Sequence, residues 1–189
     1  MTLPNQLTVL RFLLALAMFG ALMSVSHGAH LAAFLMFLAA MITDWVDGYI
    51  ARAYNAVSAF GKVADPIADK ILVIGALIGL NRLHIDVPMW VIFLIIAREL
   101  TMGGVRVLTI TQQGSILAAQ RWGKISMAVQ SGAVLIMLGL LVAQEKAVEL
   151  PAFVFGLPYS LAVLCVFTAW ASAYLYFRES RQLLEKSWG

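Results

Sequence analysis

Four aspartates, Asp44, Asp47, Asp65 and Asp69, stand in or beside very apolar stretches of the chain, within TDWVDGYIARAYNAVSAFGKVADPIADK, residues 43–70. Asp44 and Asp47 are three apart and Asp65 and Asp69 four apart, so on helices each pair shares a face. Four carboxylates converging from two helices would be hard oxygen donors, suited to Mg²⁺ or Mn²⁺ rather than to zinc or copper. Two other chemistries fit the same charges. One is ion pairing with Arg52, Lys62, Lys70, Arg98 or Arg106. The other is a proton or cation pathway, as in transporters. The charges alone leave all three open.

The need for an explanation comes from the surroundings. Of the 189 residues, 62% are hydrophobic and 12% charged, with a mean hydropathy of +0.89. These values exclude an ordinary soluble domain and indicate a polytopic membrane protein. Four ionised aspartates at helix centres would cost on the order of 10 kcal/mol on insertion scales, an upper bound for off-centre positions. The single Cys165 lies in an apolar run and builds neither a disulfide nor a zinc framework. It reads as packing. His27, His30 and His84 fall in expected loops and read as solvated residues rather than metal ligands. No nucleic acid is expected among the partners.

The elements that must position the aspartates follow from hydropathy. Apolar stretches near 7–26, 31–52, 62–81, 88–110, 124–143 and 154–177 are each long enough to cross a bilayer. The fold expected is an all-α bundle of six transmembrane helices forming a single domain over 1–189. The first stretch lacks the basic flank of a secretory signal and reads as a retained span. With a cytoplasmic N-terminus, all thirteen Lys and Arg except Arg82 and Lys146 fall on or toward the cytoplasmic side. Both termini are therefore expected there, in a multi-pass protein of the cell (cytoplasmic) membrane. Trp90, Trp122 and Trp188 suit interfacial anchors. Gly75 and Gly79, in GALIG, give a spacing at which helices approach closely, which leaves a homodimer open.

The second and third spans form a hairpin that brings the aspartate pairs to similar depth near the cytoplasmic side. Residues 44–69 read D-x2-D-G-x2-A-R-x8-G-x3-D-x3-D, through Asp44, Asp47, Gly48, Ala51, Arg52, Gly61, Asp65 and Asp69. This resembles the signature of the CDP-alcohol phosphatidyltransferases at all eight defining positions. The resemblance implies a membrane enzyme that joins the phosphatidyl group of CDP-diacylglycerol to an alcohol and releases CMP. It implies that the four aspartates bind two ions, Mg²⁺ or Mn²⁺, across the pyrophosphate, and that Asp69 is the general base. Gly48, Arg52, Ser58 and Gly61 match family positions that the resemblance implies contact the CDP portion. Asn5 and Thr8, in PNQLTVLR, resemble the family's nucleotide-contacting segment. Physical reasons agree: ions clamp a pyrophosphate, small residues admit a nucleotide, and an arginine fork suits phosphate oxygens.

The acceptor is read from the later cations. AREL at 97–100 with Arg106 resembles the phosphatidylglycerophosphate-forming branch, whose acceptor is glycerol 3-phosphate. Arg98, Arg106, Arg121 and Lys124 would then hold the acceptor phosphate. That branch is expected to read G-K-x-K-T-x-x-Q, whereas GKISMAVQ, residues 123–130, keeps Gly123, Lys124 and Gln130 but has Ser126 and Met127 in place of Lys and Thr. Cardiolipin, phosphatidylserine and inositol-phosphate branches share the core signature. Outside the family the rivals are a proton- or cation-coupled transporter and a structural membrane protein. A transporter should show paired interrupted helices in its two halves, whereas the carboxylates here concentrate in one hairpin.

Overall fold

The computed structural model describes the backbone of residues 3–54, 59–111, 117–145 and 151–187, with side chains at 6–46, 66–104, 122–145, 151 and 154–178. Each apolar stretch of the sequence becomes a helix, because no other structure satisfies a lipid-facing backbone within one segment. The six are α1 (Leu3–Leu22), α2 (His27–Tyr54), α3 (Ala59–Arg82), α4 (Met89–Thr111), α5 (Leu117–Glu145) and α6 (Leu157–Ser187). A short 3₁₀ turn, Ala152–Gly156, leads into α6. Among the described residues there is no strand. The helices outrun the apolar stretches, most of all at the N-terminus of α5 and the C-terminus of α6. There a hydropathy window stops at the first charges while helix-forming Ala, Gln, Arg, Glu and Lys continue the turn.

Among the described residues three segments are long and apolar enough to cross a membrane: His27–Val46, Trp122–Glu145 and Val154–Arg178. Gln6–Leu22 is apolar but shorter. Helices α3 and α4 carry Lys62, Asp65, Asp69 and Lys70, and Arg98, Glu99 and Arg106, which lower their hydropathy. Helix α1 packs on α2 and α3, α5 on α2 and α6, and α4 on α6 and α3. Their shared core holds Met18, Leu22, Phe37, Leu77, Leu80, Ile95, Met137 and Leu138 fully buried.

The GALIG glycines serve this core. A Cβ at Gly79 would lie 2.6 Å from Leu22 Cδ1 and 2.7 Å from Leu22 Cβ, and one at Gly75 would lie 3.7 Å from Met18 and Phe19. The close approach that the spacing permits is therefore between α1 and α3 of one chain, not a face left over for a second copy. The two helices run parallel in register, Leu22 beside Gly79 and Phe19 beside Gly75.

The histidines also differ from expectation. The turn after α1 is short, so α2 starts at His27 and carries His30 one turn into the helix, where it is buried. His30 Nδ1 pairs with Glu145 of α5, and its Nε2 lies 3.0 Å from the Ser24 carbonyl. His27 Nδ1 stands 3.3 Å from the same carboxylate. These contacts close the end of the bundle opposite the aspartates. His84 does lie in a loop, but with φ 57°, the left-handed residue that ends α3. Ile85 N–H bonds the Leu80 carbonyl and His84 N–H that of Asn81, both at 3.1 Å, a Schellman ending.

Candidate active site

The site begins with Arg11, the only charged residue of α1. A lone cation on an apolar helix must find counter-charges inside the bundle. Arg11 is 1% exposed, and its Nη2 reaches Asp44 Oδ1 of α2 at 3.2 Å while its Nη1 reaches Asp69 Oδ1 of α3 at 2.9 Å. The first and last aspartates of the spaced set therefore meet on one guanidinium. Each lies ten residues from its hairpin end, Tyr54 or Ala59, about 15 Å along the helix. Asp44 is 57% exposed and Asp69 29%, so both carboxylates lie between a buried cation and the outside.

A second ionic group continues the layer. Lys70, next to Asp69, bonds Glu99 of α4 at 3.0 Å. Glu99 also pairs with Arg98, which is buried; Arg98 Nε donates to the Ala169 carbonyl at 3.2 Å and Nη2 to Ser172 Oγ of α6 at 2.6 Å. On α5, Gln130 Nε2 donates to Ser126 Oγ at 3.1 Å, and both are buried. His30–Glu145 and Phe34–Gly139 fix α2 and α5 antiparallel, which sets Asp44 opposite the turn holding Ser126 and Gln130. All six helices thus contribute polar groups near one depth, with the apolar core on one side of it. Around the outside the neighbours are exposed and apolar: Trp45 beside Asp44, Ile67 near Asp69, Leu100 beside Glu99.

Several residues named from the sequence take definite places. Thr8 is buried on α1, one turn before Arg11. Lys124 is exposed on α5. Arg98 is 5% exposed, and all three of its nitrogens already bond protein groups, so it ties α4 to α6. The side chains of Asn5, Asp47, Gly48, Arg52, Gly61, Asp65, Arg106 and Arg121, and all of Ser58 and Trp188, lie outside the described residues. By helix register Asp47 is one turn from Asp44, and Asp65 one turn from Asp69, along the same faces. Among the described side chains no group of three or more His, Cys, Asp or Glu is arranged to hold a metal, and two of the four signature aspartates are not in that set. Sequence reasoning missed Arg11 as part of the site, and it offered Lys70 as a partner for the aspartates, whereas Lys70 bonds Glu99. The signal was present, since an ionisable residue inside an apolar span calls for a partner.

A family model for CDP-alcohol phosphatidyltransferase matches residues 1–177, and the chain belongs to that family. It is accordingly a transferase built within an integral membrane scaffold. Among curated proteins it is 39% identical, over 84% of its length and 78% of the relative's, to a CDP-diacylglycerol–glycerol-3-phosphate 3-phosphatidyltransferase of Bacillus subtilis. It is 42% identical to a probable phosphatidylglycerophosphate synthase of Mycobacterium tuberculosis, over 70% of this chain and 63% of that one. A Rickettsia bellii protein bearing the same name as the Bacillus one is 43% identical over 55% of this chain and 57% of its own.

Proposed function

We propose that this chain transfers the phosphatidyl group of CDP-diacylglycerol to glycerol 3-phosphate, forming phosphatidylglycerophosphate and CMP. The observation that carries the reading is the meeting of Asp44 and Asp69 on Arg11, at one depth and inside the family signature. The names of the relatives support the choice of acceptor.

The acceptor hydroxyl oxygen attacks the phosphatidyl phosphorus, the P–O bond to CMP breaks, and CMP leaves with the electron pair. Asp69 takes the hydroxyl proton. Proton transfer of this kind is typically worth 10²–10⁴-fold. The donor set suits divalent ions: Asp44 and Asp69 offer hard oxygens, face outward and converge from two helices. Two ions, Mg²⁺ or Mn²⁺, held by Asp44, Asp47, Asp65 and Asp69, would neutralise charge on the pyrophosphate. Asn5, Thr8, Gly48, Arg52, Ser58 and Gly61 orient the CDP portion. Lys124, Arg106 and Arg121 hold the acceptor phosphate by charge-assisted bonds, and Arg98 adds its charge to the set.

In this reading the chain is one domain of six membrane-crossing helices, with both termini and the site on the cytoplasmic side of the cell membrane, where a soluble sugar phosphate arrives. The test is to offer purified protein CDP-diacylglycerol and Mg²⁺ or Mn²⁺ with glycerol 3-phosphate, serine, inositol phosphate or phosphatidylglycerol. CMP and a new lipid are expected with the first. Product with another acceptor alone makes the branch wrong, and no CMP with any removes the enzymatic reading.

A further inference from the structure

Arg11 occupies an unusual position for a residue beside a cation site. It is buried at 1% exposure, belongs to neither helix of the signature hairpin, and bonds one oxygen each of Asp44 and Asp69. Without it, carboxylates on two helices would face each other at one depth and repel. With it, a fixed positive charge holds α2 and α3 together through their acids. A divalent ion sharing those acids adds the same attraction but is repelled by the guanidinium. Arg11 therefore favours the metal-free state over the loaded one.

We propose that Arg11 is a positioning residue that acts through Asp44 and Asp69 as a built-in counter-ion, keeping the acidic site assembled when no divalent ion is bound and weakening its hold on that ion. The inference rests on the metal-binding reading above. It separates folding from metal supply, so the protein stays intact through cycles of ion loss. It also sets ion affinity below what the carboxylates alone would give. By linkage, the stabilisation that Arg11 gives the metal-free state beyond the loaded one is returned as affinity when Arg11 is removed.

The test compares wild type, Arg11→Gln and Arg11→Lys as full-length protein in detergent, by thermal unfolding in chelator and in saturating Mn²⁺, and by Mn²⁺ titration followed by electron paramagnetic resonance. Arg11→Gln is expected to lose about 10 °C of Tm in chelator, to recover most of it with Mn²⁺, and to bind Mn²⁺ about tenfold to a hundredfold more tightly than wild type. Arg11→Lys keeps the charge but not the two-pronged fork. It should bind Mn²⁺ as wild type does, with an intermediate Tm in chelator. An Arg11→Gln protein that survives only in Mn²⁺ is the expected result in its extreme form. If Arg11→Gln lowers Tm equally with and without Mn²⁺, fails to fold in both, or leaves Mn²⁺ affinity unchanged, Arg11 is a strut and the inference is overturned. Wild type that binds no Mn²⁺ removes the metal reading itself, and the inference with it.

Discussion

Arg98 and Lys124 belong to the same proposed acceptor set, yet their surroundings dictate opposite responses to substitution. Arg98→Met removes a cation that is 5% exposed and bonds the Ala169 carbonyl, Ser172 Oγ and Glu99. Its loss strips α6 of the hydrogen bonds that its carbonyl and hydroxyl accept from α4 and leaves the Glu99 carboxylate to Lys70. Breaking a buried pair from one side costs about 3–5 kcal/mol. At about 2–4 °C per kcal/mol for a chain of this size, Tm should fall by roughly 6–20 °C. Lys124→Ala removes an exposed cation, so Tm should hold. The KM for glycerol 3-phosphate should rise about tenfold to a hundredfold, the value of one charge-assisted contact, with the KM for CDP-diacylglycerol little changed. The assay pairs thermal unfolding in detergent with initial rates of CMP release, varying each substrate in turn. If Arg98→Met keeps its Tm and raises the acceptor KM, Arg98 is a direct phosphate ligand and the reasoning from its buried bonds is wrong.

Other expectations follow from single residues. Asp69→Asn should lower kcat about 10²–10⁴-fold at saturating metal while binding of the CDP-lipid changes little; near-normal turnover would move the base elsewhere. Gly79→Ala should cost about 1–3 kcal/mol through its overlap with Leu22. In double-mutant cycles Leu22→Gly should relieve that cost and Leu22→Ala should not, since the Leu22 Cβ is itself 2.7 Å away; an altered oligomer with unchanged Tm would instead mark a dimer face. His84→Gly should gain about 0.5–1 kcal/mol by relieving the left-handed backbone, read as a higher Tm, and no gain would count against strain at that turn.

Much of the site is legible in the sequence because its costs are visible there. Carboxylates in apolar surroundings need a reason, and spacings of three and four put each pair on one helix face whatever packs around it. Helix existence is legible for the same cause, since long apolar runs permit nothing else in lipid. Partner choice is not. Arg11 could serve any neighbouring acid, and only the parallel register of α1 on α3 assigns it to Asp69. His30 escapes a hydropathy reading because the turn after α1 closes within a few residues, a matter of local backbone geometry that hydropathy does not encode. GALIG marks a close-approach face, but spacing alone cannot say whether the approaching helix belongs to the same chain. Arg98 stands out as a cation, while the acceptors that surround it come from α6, some seventy residues later.

The polar layer has an outer wall of exposed apolar side chains, with Trp45, Ile67 and Leu100 beside its charged members. From His27 down to Asp44 is 17 residues of α2, about 26 Å, close to the 30 Å of a bilayer's hydrocarbon. A lipid standing against that wall brings its headgroup to the layer without leaving its leaflet. In the proposed reaction the two substrates are then counted on different scales. The donor's supply is a mole fraction within a plane, and the acceptor's is a molarity in bulk water. Diluting the donor with inert lipid should slow turnover at constant total CDP-diacylglycerol, while the half-saturating glycerol 3-phosphate stays where it was. Adding membrane area is, for this catalyst, the same as removing substrate.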